Sequence, residues 1–179
     1  MAIRINPDET QKLLTTITDF IIDWLELQVQ TFPSIDGIFI LDDIVGFLGD
    51  EDFKGAALPY LERIYKSFDV SVKFFHNDAG YGSSIKYLPE IGINIFNMEF
   101  ESNLNELKEL TQNKVTMLGN IPPRDVLAAG TPADVKKAVR TLVDGMEDKS
   151  RVIYSCGGGM PPGVSTENIK AFIEAVHGE

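Results

Sequence analysis

Val72-Lys73-Phe74-Phe75 runs directly into His76-Asn77-Asp78, and this abrupt change from a mostly apolar run to polar, titratable residues decides how the chain is read. The same change recurs where Gly37-Ile38-Phe39-Ile40-Leu41 meets Asp42-Asp43 and where Ile93-Asn94-Ile95-Phe96 meets Asn97-Met98-Glu99. It recurs again where Val115-Thr116-Met117-Leu118 meets Gly119-Asn120, and where Arg151-Val152-Ile153-Tyr154 meets Ser155-Cys156-Gly157-Gly158-Gly159. Buried parallel strands read as short apolar runs, and α/β folds collect ligands where such strands stop.

Helical periodicity fills the intervals. Leu13, Leu14, Ile17, Phe20, Ile21, Trp24, Leu25 and Leu27 recur at spacings of three and four, so residues 7–30 read as an amphipathic helix. Further helices are expected over 57–68, 84–90, 104–110 and 131–146, with a helical turn at 124–129. Thr131-Pro132-Ala133-Asp134 combines a capping hydroxyl, a proline in the first turn and an early carboxylate. A last helix reaches residue 176, capped by Ser165 or Thr166; residues 46–54 and 79–82 read as loops. One helix followed by five βα units implies an α/β fold with parallel strands. Periodicity fits either an open doubly wound sheet or five-eighths of a (β/α)8 barrel.

The 179 residues suit one domain, and a formal net charge of -11 argues against nucleic-acid partners. A single cysteine forms no internal disulfide, and no apolar stretch is long enough for a bilayer. A cytoplasmic protein without a membrane partner is expected.

The strand ends supply the candidate chemistry. Adjacent carboxylates on a strand point to opposite sides, so at most one of Asp42 and Asp43 faces a central site. His76 and Asp78, two apart, share a face and suit an acid/base pair or two metal ligands. Glu99 is a candidate further ligand. Cys156 as a thiolate completes a zinc set with His76 and a carboxylate. Asn120, beside Gly119, and Arg124 are candidate substrate contacts, and Gly157, Gly158 and Gly159 offer backbone N–H groups to an anion.

Taken together, Leu118-Gly119-Asn120-Ile121-Pro122-Pro123, Gly130-Thr131-Pro132, the closing Gly157-Gly158-Gly159-Met160-Pro161-Pro162-Gly163 with Glu167-Asn168, and the Asp42-Asp43 strand end resemble the C-terminal part of the uroporphyrinogen decarboxylase superfamily, which includes zinc-dependent corrinoid methyltransferases. The resemblance runs from about Ile35 to the end. It implies a (β/α)8 TIM-type barrel, here as a partial barrel of about five βα units forming one domain over residues 1–179.

Two chemistries follow from the resemblance. The first is metal-assisted methyl transfer between a corrinoid protein and a thiol or related acceptor, with zinc on His76, Cys156, Asp78 and Glu99. Here Asp78 stands where that branch carries a cysteine, and Gly158 where it carries another. The second is cofactor-free decarboxylation of uroporphyrinogen, in which Asp42 or Asp43 stabilises positive charge on the pyrrole ring; Gly158 stands where that branch carries a histidine. A five-strand barrel leaves two open edges and an exposed apolar interior. Self-association into a homo-oligomer or a missing N-terminal half is therefore expected, and without it the chain is a non-catalytic fragment or subunit.

Overall fold

The structure is a computed structural model and describes residues 2–80 and 82–178. Met1, Glu179 and Tyr81, the last within the loop expected at 79–82, lie outside the described residues.

Helices α1 (Ala2–Ile5) and α2 (Pro7–Thr31) lead to strand β1 (Gly37–Leu41). A short 3₁₀ turn (Ile44–Phe47), α3 (Asp50–Ala56) and α4 (Leu58–Lys66) connect it to β2 (Val72–Asn77). A 3₁₀ turn (Ile85–Tyr87) and α5 (Leu88–Ile91) precede β3 (Ile95–Met98). Then come α6 (Leu104–Leu110), β4 (Thr116–Ile121), a π-helical turn (Pro123–Ala128), α7 (Pro132–Gly145), β5 (Val152–Cys156) and α8 (Thr166–His177).

All adjacent strands pair in parallel, in the order β1-β2-β3-β4-β5. A doubly wound sheet reverses its order part-way, whereas a barrel wall advances one strand at a time. The sequential order therefore resolves the two alternatives: the chain is a five-stranded sector of a (β/α)8 barrel.

Register fixes what each face carries. The paired row Ile40–Phe75–Phe96–Met117–Val152 lies under the helices, and Phe75, Phe96 and Met117 are fully buried there. The rings of Phe75 and Phe96 stack with centroids 6.0 Å apart. The next row, Leu41–His76–Asn97–Leu118–Ile153, points to the other face, the barrel lumen. There Phe39, Leu41, Val72 and Ile153 are exposed, as expected of an unclosed barrel.

Three expectations are corrected. Strands β2, β3, β4 and β5 extend past the apolar runs into the polar ends, so His76, Asn97, Asn120 and Cys156 are strand residues. The reason is that neighbouring strands continue to pair with those polar positions. Residues 46–54, read as a loop, contain most of α3. Its acidic start favours the positive end of the helix dipole, and Asp50 binds Lys54, Lys86 and the Tyr87 hydroxyl. Those partners, Lys54 foremost, hold its carboxyl far below the usual range. The helix expected over 84–90 divides into the 3₁₀ turn and α5.

The caps agree with expectation. Thr131 and Asp134 form a reciprocal capping box on α7, and of the two candidates Ser165 caps α8, accepting from the Asn168 N–H at 3.1 Å.

Because Phe75 is fully enclosed, Phe75→Ala is expected to destabilise the domain by about 3–5 kcal/mol, read as a lowered midpoint in urea with an unchanged slope.

Candidate active site at the barrel rim

Strand parity decides which candidates share a surface. Leu41 pairs with His76 on the lumen face and ends β1, so the alternation expected for Asp42 and Asp43 does not apply: they enter the following 3₁₀ turn, with Asp43 in the right-handed helical region. Asp42 is half-buried, and its carboxylate accepts the Ile44 N–H at 2.9 Å. Burial outweighs that bond and pushes its carboxyl up. Asp43 is exposed and accepts the Asp78 N–H at 2.7 Å. The end of β1 is thereby tied to the end of β2.

His76 is held from two sides. The buried Asn97 on β3 donates its Nδ2 to the Leu118 carbonyl at 2.6 Å, which leaves its Oδ1 facing His76. That oxygen lies 2.7 Å from His76 Nδ1 and must accept, so Nδ1 carries the hydrogen. Nε2 is then the nitrogen free to take or give a proton, and it lies 3.4 Å from the Asp78 carboxylate. Sequence reading did not single out Asn97. Its only signal is its place directly beside His76 in the register.

Across the rim, the loop after β5 meets Asp78. Gly158 has φ +71°, and a Cβ there would sit 2.7 Å from Asp78 Oδ2. A Cβ on Gly157 would lie 2.8 Å from the Phe100 nitrogen. The glycines thus let this loop close against the ends of β2 and β3. Asp78, Glu99, Phe100, Arg124, Gly157 and Gly159 line a cavity of about 560 Å³ together with Pro122, Pro123 and Asp125. Arg124 makes no ion pair among the described residues.

Other candidates are placed elsewhere. Asn120 is buried, and its amide donates to the Ser102 carbonyl at 2.7 Å and, at 3.3 Å each, to those of Glu99 and Phe100. It secures the loop after β3 instead of facing the cavity. The four-ligand zinc set is not assembled, and among the described residues no three His, Cys, Asp or Glu side chains group so as to hold a metal ion. The physical reasons are local. Glu99 is held by the Glu101 N–H and the Ser102 hydroxyl. Cys156 pairs with Ile121 on the helix side of the sheet, opposite His76. Its thiol is buried, donates to the Gly158 carbonyl at 3.3 Å, and is pushed up in pKa by burial, which disfavours the thiolate that zinc requires.

Asp78, Arg124 and the glycine loop share one rim cavity, at the C-terminal strand ends where (β/α)8 barrels carry their sites. The uroporphyrinogen decarboxylase (URO-D) family profile matches residues 1–179, and the chain belongs to that family. The match includes α1 and α2 and so begins earlier than the resemblance read from about Ile35. The chain is 28% identical to uroporphyrinogen decarboxylase of Danio rerio, over 96% of this chain and 47% of the relative. It is 25% identical to uroporphyrinogen decarboxylase of Pseudoalteromonas translucida (strain TAC 125), over 96% of this chain and 49% of the relative. Among solved structures, a methyltransferase from Methanosarcina mazei superposes with a TM-score of 0.75 at 19% identity, covering 90% of this chain and 47% of that one. The chain spans about half the length of the curated relatives it matches. No described helix is long and apolar enough to cross a membrane.

Gly158→Ala tests the closure of the rim. A side chain at positive φ costs about 1–2 kcal/mol, and the added methyl also displaces Asp78 from His76. The expected outcome is a stability loss of that order in urea, with altered chemical shifts of the His76 ring.

Proposed function

We propose that this chain forms the acid/base side of a uroporphyrinogen-decarboxylase-type active site, acting on a carboxylated pyrrolic small molecule without a resident metal. The observation that carries this reading is the His76–Asp78 pair, with His76 fixed by Asn97 and Asp78 lining a polar cavity together with Arg124. Protonation of a pyrrole ring carbon creates the positive charge; loss of carbon dioxide then returns its bonding electron pair to the ring, and a proton must be delivered to the carbon that carried the carboxylate as the added ring proton leaves. His76 Nε2 is positioned to carry that proton, 3.4 Å from the Asp78 carboxylate. Asp43, which accepts the Asp78 N–H, provides an acceptor for pyrrole N–H groups and a negative charge opposite the positive charge that develops on the ring. Arg124 provides a cation for a substrate carboxylate.

Metal-assisted methyl transfer receives less support, because its ligand set is not assembled, and the methyltransferase neighbour at 19% identity bears on the fold alone.

The test is anaerobic incubation of uroporphyrinogen with the protein, purified together with any chain that accompanies it, and chromatography of the oxidised products. Products with fewer carboxylates are expected. His76→Gln and Asp43→Asn are each expected to slow their formation by roughly 100-fold or more. Full activity in both variants, or methylation of a thiol from a methylated corrinoid without decarboxylation, overturns the proposal.

A further inference from the structure

The turn that carries Arg124 has its own hydrogen-bond register. Across Pro123–Ala128 the bonds span five residues, from the Leu127 N–H to the Pro122 carbonyl at 3.1 Å and from the Ala129 N–H to the Arg124 carbonyl at 2.9 Å. An α-helix closes over four, so this turn holds one extra residue, an arrangement that occurs mostly as single turns and frequently at functional sites. The span returns to four where the Gly130 N–H meets the Val126 carbonyl at 3.1 Å. Each residue turns a helix by about 100°. Closing the turn over four would therefore swing Arg124 away from the rim cavity that it lines with Asp78, Glu99 and Gly159. No ion pair among the described residues fixes its guanidinium, so the backbone that carries it sets its place.

The return to an α-helical span leaves two carbonyls to be satisfied. In a continuing helix the Leu127 carbonyl would accept the Thr131 N–H, but that N–H donates to the Asp134 carboxylate in the capping box at 2.9 Å. The Gly130 carbonyl lies just ahead of α7. One side chain serves both. Asn168, in the first turn of α8, donates its Nδ2 to the Leu127 carbonyl at 2.9 Å and to the Gly130 carbonyl at 2.8 Å. The side chain is buried, and its Oδ1 is enclosed with no hydrogen-bond partner. Burying an unpaired acceptor is unfavourable, so packing does not account for an asparagine here. Its two N–H bonds do.

We infer that Asn168 is a positioning residue for Arg124: from α8 it holds the five-residue register of the turn and thereby keeps the guanidinium at the rim cavity. The role of Arg124 toward a substrate carboxylate rests on the proposed function; the hold of Asn168 on the turn does not.

The first measurement needs no ligand and is the crystal structure of the Asn168→Ala protein. The turn is expected to close over four, with the Ala129 N–H on the Asp125 carbonyl and the Arg124 side chain outside the cavity, on an unchanged sheet. The second is a fluorescence titration with uroporphyrin, the stable oxidised form of the proposed substrate. Arg124→Gln and Asn168→Ala are each expected to weaken binding about 10-fold. The double variant is expected to bind no more weakly than either single one, because one residue acts through the other. A residue serving stability alone lowers the melting temperature without this non-additivity. Where Asn168→Ala does not fold, Asn168→Ser, with one donor for two carbonyls, replaces it in both measurements. A retained five-residue register with Arg124 in the cavity, or additive losses of binding, overturns the inference. Absence of uroporphyrin binding by the unaltered protein overturns the proposed function instead, and the register of the turn then decides the role of Asn168.

Discussion

Parallel pairing in strict sequential order constrains everything else in this molecule. Each strand is joined to the next by a crossover that returns the chain to the same end of the sheet, so all five C-terminal ends lie on one rim. Because the pairing is in register, side-chain parity propagates sideways. The row that starts at Ile40 goes under the helices, and the row that starts at Leu41 goes to the lumen. Buried Phe75, Phe96 and Met117 hold that register, since a slip of one residue would carry them to the lumen and His76 into the core.

Much of this can be read from the sequence, because the physics involved is local. The apolar runs, the long amphipathic α2 and the Thr131–Asp134 box depend on neighbours within a few residues. The strand ends were legible as a functional face for the same reason. What escaped depends on partners far along the chain. Strands β2 to β5 continue into polar residues because an adjacent strand pairs with them there. Helix α3 looks like a loop until Asp50 meets Lys86 and Tyr87. Asn97 is unremarkable in sequence and becomes informative only when its amide bridges His76 and Leu118.

The same parity explains why the candidate residues divide as they do. His76 and Asp78, two apart, remain together, whereas Asp42 and Asp43, past the end of β1, take different partners, the Ile44 and Asp78 N–H groups. Cys156 lies on the helix side, where burial stabilises a neutral thiol. No local adjustment of the loop brings that sulfur to the lumen without inverting the end of β5, where Gly119, Asn120 and Ile121 are already paired with Tyr154, Ser155 and Cys156. Backbone register therefore keeps Cys156 out of the zinc set.

The charge distribution of the rim connects the site to the open surface. The cavity is lined by three carboxylates, Asp78, Glu99 and Asp125, and by one guanidinium, Arg124. Such a balance suits proton handling and the stabilisation of positive charge, but it opposes a polycarboxylated substrate, whose several anionic arms each need a cation. On the proposed reading those cations come from the strands that complete the rim. The division is then physically reasonable: one part of the barrel carries the acid/base pair, the other carries the positive charge that draws the substrate in. Closure brings the two into one low-dielectric pocket, where each electrostatic contribution strengthens.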